Sequence, residues 1–258
     1  MLTTQERRAA AQRQDRIIQS RAQTVMALLA KEKNRYIRAC AAAYARTSHL
    51  KDDDFFEHEA KIKKILKDNY LKIGRIFHAE IANSIKAQRA GRERKRRSAF
   101  EYRLIRWAET EAGRKAKPIS GTTRKDINRA VQRAFKDQEP ESIVIKRILS
   151  TRGYSNFRAA AVARTETHNA AMFASIGTAK EFSDNEGVVM RKIWSPSDDD
   201  RSREFHREME SHEPIGMTEL FEVPNPNGGT DAMDRPGDQS APPEQIINCR
   251  CVLTYEVL

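Results

Sequence analysis

The stretch Gly187-Val188-Val189-Met190-Arg191-Lys192-Ile193-Trp194 decides the fold, because the period of the chain changes there. Before Gly187 the apolar residues recur every three or four positions. From Val188 the run is β-branched and apolar, and Ser195-Pro196-Ser197 closes it, as in a strand. Beyond it, Asp200 to Glu210 fits a short helix and Met217 to Val223 an extended segment. Pro224 to Pro243 reads as a loop rich in Gly, Pro, Asn and Asp. Ile246 to Tyr255 reads as a terminal strand. The expected class is α+β: a long-helix N-terminal region of helical hairpins, then a small α+β C-terminal domain with a few-stranded antiparallel sheet.

Upstream, Thr3-Thr4-Gln5-Glu6 has the form of a capping box, with Thr3 as N-cap and Glu6 three residues on. A helix from there can run to about Ala45, but its apolar stripe is thin. The first fifteen residues carry almost no apolar face and are expected to be helical only against a partner. After a break at Thr47-Ser48-His49, Asp52, Asp53 and Asp54 place negative charge at a new helix start. Ile62, Ile65, Leu66, Tyr70, Ile73, Phe77, Ile81 and Ile85 then mark the clearest amphipathic helix. A third helix is expected near Ser98–Ala112. Gly113 to Gly121, with Pro118 inside it, reads as a linker before a short helix capped by Thr123. Pro140 opens another helix, and Ser155 an alanine-rich one reaching Phe182. The expected organisation is a basic helical region at 1–117, a helical connector at 118–153 and a C-terminal domain at 154–258.

Charge divides the chain in the same sense. Of its 258 residues, 32% are charged and 7% aromatic, enough for a core but not a rich one. Residues 1–150 hold 36 Lys and Arg against 18 Asp and Glu, and residues 151–258 hold 11 against 18. A basic half points to a polyanion or an acidic protein surface, or else to a solvated helical face. Arg92, Arg94, Lys95, Arg96 and Arg97 form its densest run and are the candidate contacts to nucleic acid or to an acidic protein surface. No zinc-finger, basic-zipper or aromatic RNA motif accompanies them, so phosphate contact without sequence reading is expected. Met1 is not followed by an apolar run of signal-peptide type, and no stretch has the apolar length of a membrane span. The chain is therefore expected to be intracellular and soluble, without a membrane partner.

Two chemistries are open among the C-terminal polar residues. Cys249 and Cys251, with His206 and either His212 or Asp238, offer soft ligands for zinc. The Cys-x-Cys spacing is less usual than Cys-x₂-Cys, and there is no second pair. Two small thiols packed inside a strand are the competing reading, with no cofactor. A disulfide between them would be strained, and Cys40 reads as a core residue. Separately, Arg164, Glu166, Arg201, Arg203 and His206 could hold a phosphate, with His206 as general acid or base and Glu166 as its partner. The competing reading is a buried network that fixes helix to sheet. No Gly-rich phosphate loop or nucleophile elbow is present. Trp194 reads as a core anchor, and His168, among alanines, as a helix-packing residue.

Taken in order, these pieces resemble the phage Mu protein F-like, or head-morphogenesis, family. Val162-Ala163-Arg164-Thr165-Glu166-Thr167 is similar to its helix motif. Trp194 followed by Asp200-Arg201-Ser202-Arg203 and His206 is similar to its central motif, with Asp200 placed at the aspartate position. Pro236-Gly237-Asp238, a proline-rich spacer with Glu244, and Ile247-Asn248-Cys249-Arg250-Cys251 resemble its ending. The resemblance covers about residues 155–255, while His212 to Thr230 matches no pattern of the family. It implies a structural network of Arg164, Thr165, Glu166, Trp194, Asp200, Arg201, Arg203, His206 and Asp238. It further implies a bacteriophage minor head protein in few copies, associated with the portal protein, a major capsid or scaffolding protein and phage double-stranded DNA. Such a protein supports head assembly and DNA packaging or delivery, in the capsid interior or at the portal vertex, after assembly in the host cytoplasm. The alternative from the residues is a nuclease-like enzyme using Arg164, Glu166, Arg203 and His206. A third reading is a DNA-compacting protein acting through residues 1–117.

Overall fold

A computed structural model describes residues 3–88, 99–151, 155–197 and 201–258. Four long helices and one shorter one come first: α1 (Thr4–Thr47), α2 (Asp52–Gln88), α3 (Phe100–Lys136), α4 (Glu141–Ser150) and α5 (Asn156–Glu186). Then follow β1 (Met190–Ser195), α6 (Glu204–Arg207), a 3₁₀ turn at Glu208–Ser211, β2 (Ile215–Gly216), β3 (Phe221–Pro224), β4 (Thr230–Met233), α7 (Pro243–Ile246) and β5 (Val252–Val257). The α+β expectation holds. The chain forms two compact units, each from segments distant in sequence: one from Met1–Ala22, Tyr70–Arg106 and Ala161–Leu258, the other from Gln23–Asn69 and Trp107–Ala160.

Local chemistry explains most helix starts. The Glu6 N–H donates to Thr3 Oγ1 at 3.2 Å, and the Thr3 N–H to Glu6 Oε2 at 2.8 Å, the reciprocal capping box. Pro140 stands at the N-cap position of α4 in extended backbone without a side-chain bond, and Ser155 Oγ accepts from the Arg158 N–H at 3.2 Å at the start of α5.

The expected linker at 113–121 is not a linker: α3 runs through it, and the expected short helix at Thr123 is its continuation. The reason is a buried stripe at helical spacing, Ala108, Ala112, Ala116, Ile119, Thr123, Ile127 and Ala134. Packing of that face outweighs the local cost of Pro118, whose ring points to solvent.

In the second unit, α2 and α3 run antiparallel, as a helical hairpin should. Asp52 pairs with Arg124, and Lys63 and Lys67 pair with Glu109. Tyr36, Ile37, Cys40 and Tyr44 of α1 form the core with Ile127, Ala134, Val144 and Ile148. His58 is fully buried there, stacked on Tyr36 at 4.2 Å with Nδ1 3.0 Å from Glu32 Oε1. Burial lowers its pKa below 6.5, partly opposed by Glu32.

In the first unit, β1 is the centre of an antiparallel sheet of order β2-β1-β5, with Trp194 opposite Leu253. Ile81 and Ile85 of α2, and Ile176 and Phe182 of α5, share a core with Met190, Trp194, Leu253 and Tyr255. Gly74 lets α2 approach α3 closely, since a Cβ there would lie 2.6 Å from a Leu104 methyl. The free edge of β5 is met by one side chain: the Gln88 amide donates to the Tyr255 carbonyl and accepts from the Val257 N–H.

Two further expectations need correction. The segment 224–243 is not all loop, because β3 and β4 form a hairpin across Asn225-Pro226-Asn227-Gly228-Gly229, where both glycines take positive φ. The terminal strand starts at Val252 rather than Ile246, because Pro242 and Pro243 start the one-turn helix α7. Residues 4–15 are helical against their own chain. Arg8 pairs with Glu210, Arg13 with Glu80, and Asp15 with Arg250.

Two outcomes follow. Replacing the exposed Pro118 by alanine should raise the urea-unfolding free energy by about 1–3 kcal/mol; unchanged or lower stability would mean that the helix needs its proline. Because the folded pKa of His58 lies below its unfolded value of about 6.5, its contribution is complete above about pH 6.5, starts to fall below it, and is lost as pH falls through the lower folded pKa. The thermal midpoint should therefore drop between about pH 7.5 and about pH 5.5, and less steeply in His58→Gln. A midpoint flat with pH, or equally steep in the variant, would contradict this.

Candidate functional site

The C-terminal motifs meet on the short segment 247–251. Asn248, at φ 57°, ends α7 in the left-handed conformation that asparagine tolerates. The chain then runs extended into β5, and its polar groups find side chains. The Asn248 N–H donates to Thr165 Oγ1 on α5 at 3.1 Å. The Ile247 carbonyl accepts from Arg203. The Cys251 carbonyl accepts from His168 Nε2 at 2.7 Å, which makes Nε2 the protonated ring nitrogen. Gly237, at φ 72°, packs on the other side of that ring, where a Cβ would lie 2.7 Å from His168 Nδ1. The Pro-Gly-Asp turn is therefore a seat for His168. Asp238 holds the turn by accepting from the N–H groups of Asp234 at 2.9 Å and Ser240 at 3.1 Å. Burial pushes its carboxyl up, but these hydrogen bonds outweigh it and leave the pKa below the ordinary value.

Arg250 ties the segment to the first helix. Its guanidinium meets Asp15 Oδ2 at 2.5 Å, and both side chains are at least nine-tenths buried. Asp15 also accepts from Gln19.

On the inner side, His206 faces both cysteines. Its Nδ1 lies 3.4 Å from Cys251 Sγ and 3.7 Å from Cys249 Sγ, and all three residues are buried. Its Nε2 lies 2.6 Å from Gln245 Oε1. The Gln245 amide nitrogen donates to the Pro224 carbonyl at 3.0 Å and to Asp231 Oδ2 at 2.8 Å, so its oxygen must face His206. Trp194 sets an edge-on contact against His206 at 5.5 Å and Phe221 at 5.4 Å. The thiols are pulled apart in acidity. A hydrogen bond from Cys251, helped by His206 and opposed by burial, holds Cys249 well below the thiol range. Burial, with Cys249 beside it, pushes Cys251 up.

The residues expected from sequence are thus brought together in part. Thr165, Trp194, Arg203, His206 and Asp238 belong to this cluster. Glu166 does not pair with His206; its carboxylate accepts from the Tyr70 hydroxyl at 2.6 Å. Arg164 sits half-buried on α5 one turn before His168, and Arg201 is exposed. His212 binds the carbonyl of Glu213 rather than the cysteines. Asp200 and the run Arg92, Arg94, Lys95, Arg96 and Arg97 lie outside the described residues. Sequence reading missed Gln245, the Asp15–Arg250 pair, and Lys192. The Lys192 ammonium is buried against Asp234 Oδ1 at 2.7 Å, and burial lowers its pKa.

A sequence model described as Phage Mu protein F like protein matches residues 119–254. The chain belongs to this family. Membership makes it a bacteriophage head-morphogenesis protein. No curated protein and no solved structure matches it. The Mu F-like region begins before the polar motifs, at Ile119 in α3. Asp15 and Tyr70, outside that region, pair with Arg250 and Glu166 inside it. Among the described residues no helix is long and apolar enough to cross a membrane.

Replacing Arg250 by methionine strands the Asp15 carboxylate in a buried place. It should cost about 3–5 kcal/mol in urea unfolding, and adding Asp15→Leu should return most of that. A loss below about 1 kcal/mol, or no recovery in the double variant, would show that the pair is not an energetic unit.

Proposed function

We propose that this chain is a minor head protein present in few copies per particle, acting at the portal vertex and capsid interior in head assembly and in DNA packaging or delivery. Its partners in this reading are the portal protein, a major capsid or scaffolding protein, and double-stranded DNA held without sequence preference. The observation that carries the reading is membership of the Mu F-like family. Two features support it. The motif side chains are spent on internal bonds: Thr165, His168 and Arg203 on backbone groups, and Glu166 on Tyr70. That suits a scaffold that positions other proteins. The excess of 36 basic over 18 acidic residues in 1–150 suits a surface that faces DNA phosphate or an acidic protein face.

Quantitative mass spectrometry of purified heads, with and without portal, tests this. A few copies per head, lost when the portal is missing, are expected. Absence from every particle would overturn the reading and favour the nuclease-like alternative built on Arg164, Glu166, Arg203 and His206. For the DNA contact, affinity for random-sequence duplex should fall steeply with salt. Glutamine at Arg92, Arg94, Lys95, Arg96 and Arg97 should flatten the log–log slope by up to about 4.5. An unchanged slope would remove that run from the contact.

A further inference from the structure

The geometry points to a structural zinc site formed by His206 Nδ1, Cys249 Sγ and Cys251 Sγ. The three ligand atoms lie within 4.8 Å of one another, and all three residues are buried. Zinc bonds thiolate sulfur at about 2.3 Å and imidazole nitrogen at about 2.0–2.1 Å, so tetrahedral angles set sulfur and nitrogen about 3.6 Å apart. The distances here are 3.4 Å and 3.7 Å. The two S–N edges therefore already have the span of a zinc tetrahedron, whose fourth ligand would come from outside this triad.

The surroundings of His206 are an independent indication. A ligating histidine needs a bare lone pair toward the metal and commonly places its other N–H on a fixed acceptor. Here Gln245 is that acceptor, and its own orientation is set by the Pro224 carbonyl and Asp231. The relay from half-buried Asp231 through buried Gln245 to His206 puts the proton on Nε2 and leaves Nδ1 free to ligate. Trp194 adds to it: its indole N–H is buried beside the cluster without a hydrogen-bond partner among the described residues. Charge also balances, since two thiolates and one divalent cation sum to zero in a site shut off from water.

The ion would have a physical task. His206 and Cys249 bracket the 3₁₀ turn, β2, the β3–β4 hairpin and α7, short elements whose buried residues Met209, Met217, Phe221, Val223 and Met233 join the shared core. A metal clip closes that long loop and ties it to the start of β5. This inference does not depend on the portal-vertex reading.

The test uses the full chain, purified without chelator or added metal. Elemental mass spectrometry should find about one zinc per chain. Cobalt(II) in its place should show a thiolate charge-transfer band and the intense visible bands of four-coordinate cobalt. Chelator should lower the unfolding midpoint, and zinc, but not magnesium, should restore it. Cys249→Ser, Cys251→Ser and His206→Ala should each cut zinc occupancy at least about tenfold, while Cys40→Ser keeps it. Gln245→Ala leaves all three ligands in place and should weaken zinc affinity about 10–100-fold, a positioning effect that a mere packing role would not produce. A folded wild-type chain that carries no zinc and takes none up on titration would overturn the proposal. So would a Cys249–Cys251 disulfide in the intact mass, or undiminished zinc in the double serine variant.

Discussion

The backbone of residues 247–251 is the constraint on which the C-terminal region depends. The segment lies between a one-turn helix and a strand, so no regular ladder satisfies its polar groups. The Ile247 and Cys249 N–H groups bond back to Pro243 and Ile246 within the turn, and side chains from elsewhere in the chain meet others, among them the buried Cys251 carbonyl, which needs a partner. Thr165, His168 and Arg203 each meet one backbone atom of the segment. Gly237 makes room for His168, Asp238 holds Gly237 in its turn, and Gln245 fixes His206 against the two cysteines. Polar motifs far apart in sequence thus have one common object, a short irregular stretch of main chain.

The same segment reaches the first helix through Arg250. A buried ion pair is weak as a source of stability, because both charges lose water, but removing one partner is costly. Asp15 and Arg250 therefore act chiefly to specify where the start of α1 docks. That explains how a helix end with almost no apolar face is ordered: Ala11 gives close approach, and Gln14 and Asp15 are buried where a leucine would ordinarily stand. Its thin stripe is completed by the small Ala11 and by Asp15, paired with Arg250 and Gln19.

Much of this was legible beforehand, and the reasons are physical. The Thr3–Glu6 box, the Ile62–Ile85 stripe and the change of period after Gly187 are local signals, and each appears where the residues place it. The Mu F-like motifs were legible as an ordered set. What was hidden is non-local. Pro118 argues for a break in any short window, and only the packed face from Ala108 to Ala134 keeps α3 whole. The hairpin at Asn227-Gly228-Gly229 was masked by two prolines just before it. Gln245 carries no signal in the chain, since its role exists only once His206, Pro224 and Asp231 surround it. Glu166 was expected beside His206, but Tyr70, from a helix almost a hundred residues earlier, holds it.

The central claim is that the motif side chains serve as backbone partners for 247–251, and hydrogen exchange reads this most directly. The peptide spanning 248–257 should exchange slowly in the intact chain. In His168→Phe, which leaves the buried Cys251 carbonyl without its donor, that peptide should exchange roughly tenfold faster or more, while peptides from α3 and α4 keep their rates. A wild-type segment that exchanges like an exposed loop, or a variant with unchanged rates, would contradict the account.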